Sequence, residues 1–291
     1  MDRIVLVDQT SRRLDKYGIE HGVMQAGHWR DRPEEHIQIC SSQTLEMRKT
    51  FPDIDLLIID ECHVTRKAMT DFIKRNPTIK VIGLTATPFT KGLGDIYTHV
   101  VGATPTGDLI EKGWLVPLKV YVAKEIDMTG IKKRAGEWAA EDVTAQGIKI
   151  VGDVVADWHR FGDNRKTIVF GATIKHCEEL CRQFIDSGIM AAVFTSETTN
   201  KERELLLTEY RKPDSMLKVL ISVEALAKGF DVPDVGCVCD ARPLRKSLST
   251  AIQMWGRGLR SSPDTGKKDC HLLDFSGNII RFFEEIGRAH V

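Results

Sequence analysis

No long apolar run interrupts this sequence. Nothing in it approaches the ~18 consecutive apolar residues that a membrane span requires, and Met1 is not followed by the apolar stretch of a secretory signal. From these absences the expectation is a cytoplasmic chain with no membrane partner. Net charge is absent too: 41 basic side chains balance 41 acidic ones. No global field then draws nucleic acid to the molecule, so any such polyanion must be held in a local groove. A disulfide framework is also missing, because seven cysteines, an odd number scattered through apolar runs, fit a reduced chain. Neither a repeat of fixed period nor a low-complexity tract occurs. What remains is a globular composition, 42% hydrophobic and 28% charged over 291 residues, which suffices for two domains with a core each.

One cysteine group could supply zinc ligands, Cys237 and Cys239 with Cys270 and His271. Both pairs lie inside strand-like runs, V-G-C-V-C-D and D-C-H-L-L-D, where cysteine behaves as a small hydrophobe. The expectation is core rather than metal.

The organising stretch is Leu56 to His63, L-L-I-I-D-E-C-H. Four apolar residues read as a short strand buried on both faces, ending in two acids. In a parallel α/β sheet the carboxyl ends of strands open into the ligand crevice, and neighbours on an extended chain point opposite ways. One carboxylate can hold a metal ion while the other addresses a water, the two tasks of metal-assisted triphosphate hydrolysis. The same octet also reads as a strand end meeting solvent.

Along the chain, residues 3–17 place Ile4, Val7, Ser11 and Leu14 on one helical face, with Gly18 as a stop. Strand-like runs follow at Val23 to Gln25, Ile37 to Cys40, Leu56 to Ile59, Lys80 to Leu84 and His99 to Val101. A second alternating set runs through Thr167 to Phe170, Met190 to Phe194, Lys218 to Val223, Val235 to Asp240 and Cys270 to Phe275. Strands alternating with helices predict parallel α/β sheets. Between the sets the irregular stretch 118–147, with its basic cluster Lys132, Lys133 and Arg134, reads as a linker with some strand character and a helical stretch. Gln253, Arg257 and Arg260 fall four and three apart, so a helix would present them on one face as a clamp for a phosphoryl group. Pairing with surface acids is the plainer alternative. Gly256 and Gly258 each cost about 1 kcal/mol relative to Ala in a helix interior, a violation expected mainly where function requires it.

Four motifs stand in fixed order: D-E-C-H at Asp60, L-T-A-T-P at Leu84, V-E-A-L-A-K-G-F-D-V-P at Val223 and Q-M-W-G-R-G-L-R at Gln253. Together they resemble motifs II, III, V and VI of the superfamily-two helicases, the DEAD/DEAH-box group, and most closely the bacterial and phage branch that includes restriction-enzyme helicase subunits. The resemblance covers nearly the whole chain. It implies two RecA-like domains with parallel sheets, the first incomplete: 1–117 with motifs Ia, II and III, then 148–285 with motifs IV, V and VI. It further implies that Asp60 holds Mg²⁺, that Glu61 orients or deprotonates the attacking water, and that His63, Thr85 and Thr87 couple hydrolysis to the second domain. Gln253, Arg257 and Arg260 would address the phosphates of ATP, with Gly229 and Asp231 at the nucleotide. Arg3 and Gln9 of the motif Ia helix, and Gln43 and Thr44 in S-S-Q-T-L, would contact nucleic acid, DNA ahead of RNA. An ordinary strand-to-helix cap is the other reading of S-S-Q-T-L. Val223 stands where DEAD-box members carry a threonine, which favours the DEAH-like or restriction branch.

The phosphate-binding loop G-x-x-x-x-G-K-[ST] of that family occurs nowhere in the sequence. It would precede motif Ia, which begins almost at Met1, so the chain reads as amino-terminally truncated and inactive alone. Residues 286–291, I-G-R-A-H-V, read as an artefactual tail. The expectation is therefore an ATP-dependent helicase or translocase fragment. The alternatives are the motor subunit of a type I or III restriction enzyme, with partner subunits, and a non-catalytic nucleic-acid-binding protein on the same fold.

Overall fold

Runs such as T-I-V-F-G and C-H-L-L-D have no polar face, so they suit the inside of a parallel sheet covered on both sides. The computed structural model describes residues 4–49, 51–64, 66–88, 90–102, 104–122, 126, 128–134, 137–224, 226 and 232–289, and all five residues of each run are buried. The chain divides into two units, Met1–Gly102 and Ala103–Val291.

The first unit opens with α1 (Ile4–Lys16), which turns Val7 and Ser11 inward and stops at Gly18 with φ of 66°. Strands β1 (Gly22–Met24) and β2 (Gln38–Cys40) pair in parallel, and α2 (Ser42–Arg48) follows. Strand β3 (Leu56–Asp60) crosses over through α3 (Lys67–Arg75) to β4 (Lys80–Leu84), again in parallel, with Asp60 opposite Leu84. Ile59, Cys62, Met69 and Leu45 form the core of this layer, with Leu57, Ile73 and Val81 packed on it. The opposite face of the β3–β4 pair is open: Leu56, Ile58, Ile82 and Leu84 are 47–57% exposed. The strand expected at His99 to Val101 does not form; Val100 and Val101 stand exposed and pair with no strand among the described residues.

The second unit contains α4 (Thr106–Glu111), β5 (Leu118–Val122), a short hairpin of β6 (Lys133–Arg134) and β7 (Glu137–Trp138), α5 (Ala140–Lys149) and α6 (Val151–Phe161). Then come β8 (Thr167–Gly171), α7 (Ile174–Asp186), β9 (Ala191–Val193), α8 (Asn200–Arg211), β10 (Val219–Ser222), β11 (Cys237–Ala241), α9 (Leu248–Leu259), β12 (Cys270–Asp274) and α10 (Asn278–Ala289). Six strands make one parallel sheet in the order β5-β12-β11-β8-β10-β9. One face carries Trp158, Leu180 and Phe184 of α6 and α7; the other carries Tyr210, Met254, Trp255 and Phe282 of α8, α9 and α10. Val169, Phe170, Leu220, Ile221, Val238, Leu272 and Leu273, the residues that the sequence assigns to the core, are all 0% exposed.

Residues 118–122, part of the stretch read as a linker, form the edge strand β5. Asp269 fixes that edge, bridging Lys119 at 2.5 Å and Arg165. Those two cations hold its carboxyl down at about 2. The cysteines of β11 and β12 are buried core, and His271 Nδ1 lies 2.7 Å from the Phe161 carbonyl oxygen. Among the described residues no group of three or more His, Cys, Asp or Glu could hold a metal ion. Nor is any described helix long and apolar enough to cross a membrane.

Two stability predictions follow from this packing. The first unit rests on two small cores and an uncovered apolar face, whereas the second covers its sheet on both sides. Urea should therefore unfold the chain in two steps, the first unit before the second, with amides of β3 and β4 exchanging faster than those of β8 and β11. Hydrogen exchange read by mass spectrometry checks this, and one coincident transition for all strands would contradict it. The second prediction concerns His176, which burial pushes down to about 4. Its Nδ1 accepts from the Ala172 backbone N–H at 3.2 Å. Between about 4 and its unfolded value of about 6.5 the unfolded chain binds more protons. The neutral ring's contribution is thus complete above about 6.5 and lost as pH falls toward 4, about 3 kcal/mol in all. Asp240, pushed up to about 7 by burial and by the charge of Asp274, acts in the opposite sense, but it is common to parent and variant. The stability difference between parent and His176→Gln should change by that amount between pH 7 and pH 4, as denaturation at both pH values would show.

Candidate functional site

Strand β3 delivers Asp60 at its carboxyl end, and the chain turns sharply there because Glu61 takes a left-handed φ of 52°. That conformation is uncommon for a residue with a side chain and marks a position constrained by its surroundings. Pairing resumes at once, the Cys62 N–H donating to the Leu84 carbonyl at 3.0 Å. Gly83 permits the close approach on β4: a Cβ there would lie 2.5 Å from the Tyr97 ring and 2.7 Å from Cys62 Sγ. The turn brings the His63 imidazole, its side chain 7% exposed, between two partners. Its Nδ1 lies 3.3 Å from Glu61 Oε2 and 2.9 Å from Thr85 Oγ1. Thr85 Oγ1 also accepts from the Thr87 backbone N–H at 3.0 Å, and Thr87 is fully buried. A continuous polar path thus runs from the Glu61 carboxylate through His63 to the loop after β4. The structure brings together Glu61, His63, Thr85 and Thr87, and sets Asp60 next to them at the strand end.

In the second unit α9 carries Gln253 and Arg257. The helix is anchored on the sheet: Met254 is fully buried, and Trp255 Nε1 donates to Asp240 Oδ2 at 2.9 Å. A Cβ on Gly258 would overlap Cys270 Sγ, so that glycine serves close packing; one on Gly256 would meet nothing within 4 Å. Arg260 departs from the expected helical face. It lies just beyond α9 with φ of −62° and ψ of 136°, and its backbone bridges to Leu115. The bridge captures the chain once the helix has ended.

Lys267 is a residue the sequence did not single out. Its ammonium donates to the carbonyls of Pro233 at 2.8 Å, Gly258 at 2.7 Å and Arg260 at 2.8 Å, and burial pushes it down to about 8. It ties the end of α9 to Pro233, the last residue of motif V. The only signal for it in sequence is the pair Lys267–Lys268 before an apolar strand, which does not say which lysine turns inward. At the start of motif V, Arg242 donates to the Val223 carbonyl at 2.8 Å and pairs with Glu224 at 2.6 Å. Gly229 and Asp231 lie outside the described residues, as does Arg3. Gln9 is exposed on α1; Gln43 is exposed and Thr44 buried on α2, whose N-cap Ser41 makes no side-chain cap bond.

Two family models match the chain in succession: "Type III restriction enzyme, res subunit" over residues 1–90 and "Helicase conserved C-terminal domain" over 148–262. Among curated proteins, the Schizosaccharomyces pombe protein named as the mitochondrial ATP-dependent helicase irc3 is 32% identical over 251 residues, 78% of this chain and 39% of that one. The chain spans less than half the length of the first curated relatives it matches. Among solved structures, a fragment of an HsdR subunit of a type I restriction enzyme from Vibrio vulnificus superposes with a TM-score of 0.72 at 22% identity, covering 90% of this chain and 51% of that one. Saccharomyces cerevisiae Dbp5 bound to RNA and ADP BeF3 gives 0.62 at 15% identity, covering 99% and 73%. At these identities the structural likeness speaks to the RecA-like fold, while the two matched models in order carry the family. The chain belongs to the superfamily-two helicases, a family of ATP-dependent enzymes, on the side related to restriction-enzyme subunits.

Proposed function

We propose that this chain is part of an ATP-dependent helicase or translocase that couples triphosphate hydrolysis to movement on nucleic acid, DNA ahead of RNA. The observation that carries the reading is the Asp60–Glu61–His63–Thr85 constellation at the carboxyl end of a parallel strand. Asp60 is a single hard-oxygen donor outside any cluster of three metal-binding side chains among the described residues. That fits Mg²⁺, which takes one or two protein carboxylates and completes its shell with phosphate oxygens and water. When bound, the ion neutralises charge on the phosphates. Glu61 accepts the proton of the attacking water as its oxygen bonds to the γ-phosphorus and the bond to the ADP oxygen breaks. His63 holds the Glu61 carboxylate in one orientation and passes its position to Thr85 and Thr87, the coupling loop. Gln253, Arg257 and Arg260 supply charge and hydrogen bonds to the transferring phosphoryl group, with Gly229 and Asp231 at the nucleotide. Gln9, Gln43 and Thr44, with Arg3, are the nucleic-acid contacts of this reading.

The match of residues 1–90 to the type III restriction enzyme res subunit model supports a second form of the same reading, a motor subunit that works with restriction-enzyme partners. A test must supply a triphosphate cradle, a motif that these 291 residues do not contain, by grafting the corresponding segment of a relative. ATP turnover by that form should rise at least tenfold with DNA and less with RNA, while the 291-residue chain alone should show no stimulated turnover. Absence of turnover with the cradle present would instead establish the non-catalytic binding protein.

A further inference from the structure

One buried amide in the second unit links the segments that carry motifs V and VI. Asn278, the first residue of α10, is 0% exposed, and its side chain makes four hydrogen bonds, the full capacity of an amide. Its Nδ2 donates to Asp240 Oδ2 at 3.0 Å and to the Arg242 carbonyl at 2.9 Å. Its Oδ1 accepts the Leu244 backbone N–H at 2.9 Å and Arg281 Nη1 at 2.7 Å. Three of these partners belong to the end of β11 and the segment after it, which leads into α9. The start of α10 is in turn held to β12, where the Asp274 carboxylate accepts the Ser276 N–H at 2.9 Å and the Ile279 N–H at 2.8 Å.

The partners carry the link further. Asp240 Oδ2, bonded to Asn278, also accepts Trp255 Nε1 at 2.9 Å, and Trp255 lies on α9 between Gln253 and Arg257. Donors from two helices thus converge on one carboxylate oxygen. Arg242, whose carbonyl Asn278 holds, extends its guanidinium to the Val223 carbonyl at 2.8 Å and to Glu224 at 2.6 Å, the first residues of motif V. A buried amide with all four bonds made has little freedom to shift, because any displacement strands a donor or an acceptor away from water. We propose that Asn278 is a positioning residue for hydrolysis, holding α9, and with it Gln253 and Arg257, in place relative to the start of motif V. The inference rests on the hydrolysis reading above and adds to it a residue too buried to meet the nucleotide itself.

Two variants separate positioning from support of the fold. Asn278→Asp keeps the shape and an acceptor oxygen; when ionised its carboxylate repels Asp240, and when protonated its O–H donates to it. The charged groups around the site, Asp240 of β11, Asp274 of β12, Arg242 and Arg281, are common to parent and variants, and α9 presents the uncharged Trp255. In the form completed with a triphosphate cradle, Asn278→Ala should lower kcat on the order of 10²-fold, the cost of a small misplacement at the reacting centre, while KM for ATP changes little. The ratio of Asn278→Asp to parent kcat should rise about fivefold or more from pH 8 to pH 6 as the new carboxyl takes up its proton, and the ratio for Asn278→Ala should stay level. In the 291-residue chain itself, the Trp255 indole N–H resonance, assigned by its loss in Trp255→Phe, should move in both variants. A urea profile like the parent's verifies that each is folded, and if Asn278→Ala is not, the return of Asn278→Asp at low pH carries the test. A Trp255 resonance unmoved in both variants, or an Asn278→Asp ratio that does not change with pH, overturns the positioning role. Failure of the completed parent to hydrolyse ATP overturns the reading beneath it and the role with it; a resonance that still moves marks that result as a failure of the reading rather than of the network.

Discussion

Arg257→Ala and Arg260→Ala, each introduced into the form completed with a triphosphate cradle, should lower kcat by ~10³-fold or more, while nucleotide affinity changes little. That is the scale of a guanidinium that meets charge developing on a transferring phosphoryl group, and the split between turnover and affinity marks an interaction made in the transition state. The support for these side chains is rigid. Arg257 stands on a helix pinned by Met254, by Trp255 on Asp240 and by the close contact at Gly258. Arg260 is fixed differently, through the bridge to Leu115 and the Lys267 bond to its carbonyl. The two residues therefore come from different backbone geometries and can fail separately. A steady-state assay in which either variant turns over within threefold of the parent would remove that residue from the reaction.

The strands of the second sheet were legible because their apolar runs admit no other placement. Thr167–Gly171, Val219–Ser222 and Cys270–Asp274 have no polar face to show to solvent, and each is buried throughout. Strand β5 was legible only as strand character within a linker, not as an edge of the second sheet. L-K-V-Y-V carries Lys119 and Tyr121 among its apolar residues, and it joins the sheet through Asp269, 150 positions later in the chain. The reverse error occurred at His99 to Val101, where three residues of strand character pair with no strand among the described residues. Propensity supplies the preference for a strand, and a neighbour decides whether it forms.

The site divides along the same line. Asp60, Glu61, His63 and Thr85 were readable as types and spacings, but the left-handed turn at Glu61, which sets the His63 bridge, was not. Spacing alone put Arg260 on the helix with Arg257. It could not show that the helix ends at Leu259, because the bridge that takes over comes from Leu115. Lys267 was invisible for a related reason: its bonds depend on which residues of distant segments face one another.

Glu61 is where the reading stands or falls. If its carboxylate takes the proton of the attacking water, then Glu61→Gln keeps the shape and an oxygen acceptor beside His63 but loses the base. Turnover should fall by ~10²–10⁴-fold, the range for removing a positioned acid or base. Binding of ATP and nucleic acid should persist, since neither needs that proton to move. The most direct measurement is single-turnover ATP hydrolysis by parent and Glu61→Gln, both with the cradle supplied and DNA saturating, alongside ATP binding by each. The account predicts that the variant binds ATP as the parent does and leaves it unhydrolysed over many parent half-lives. A variant that hydrolyses within threefold of the parent would contradict it.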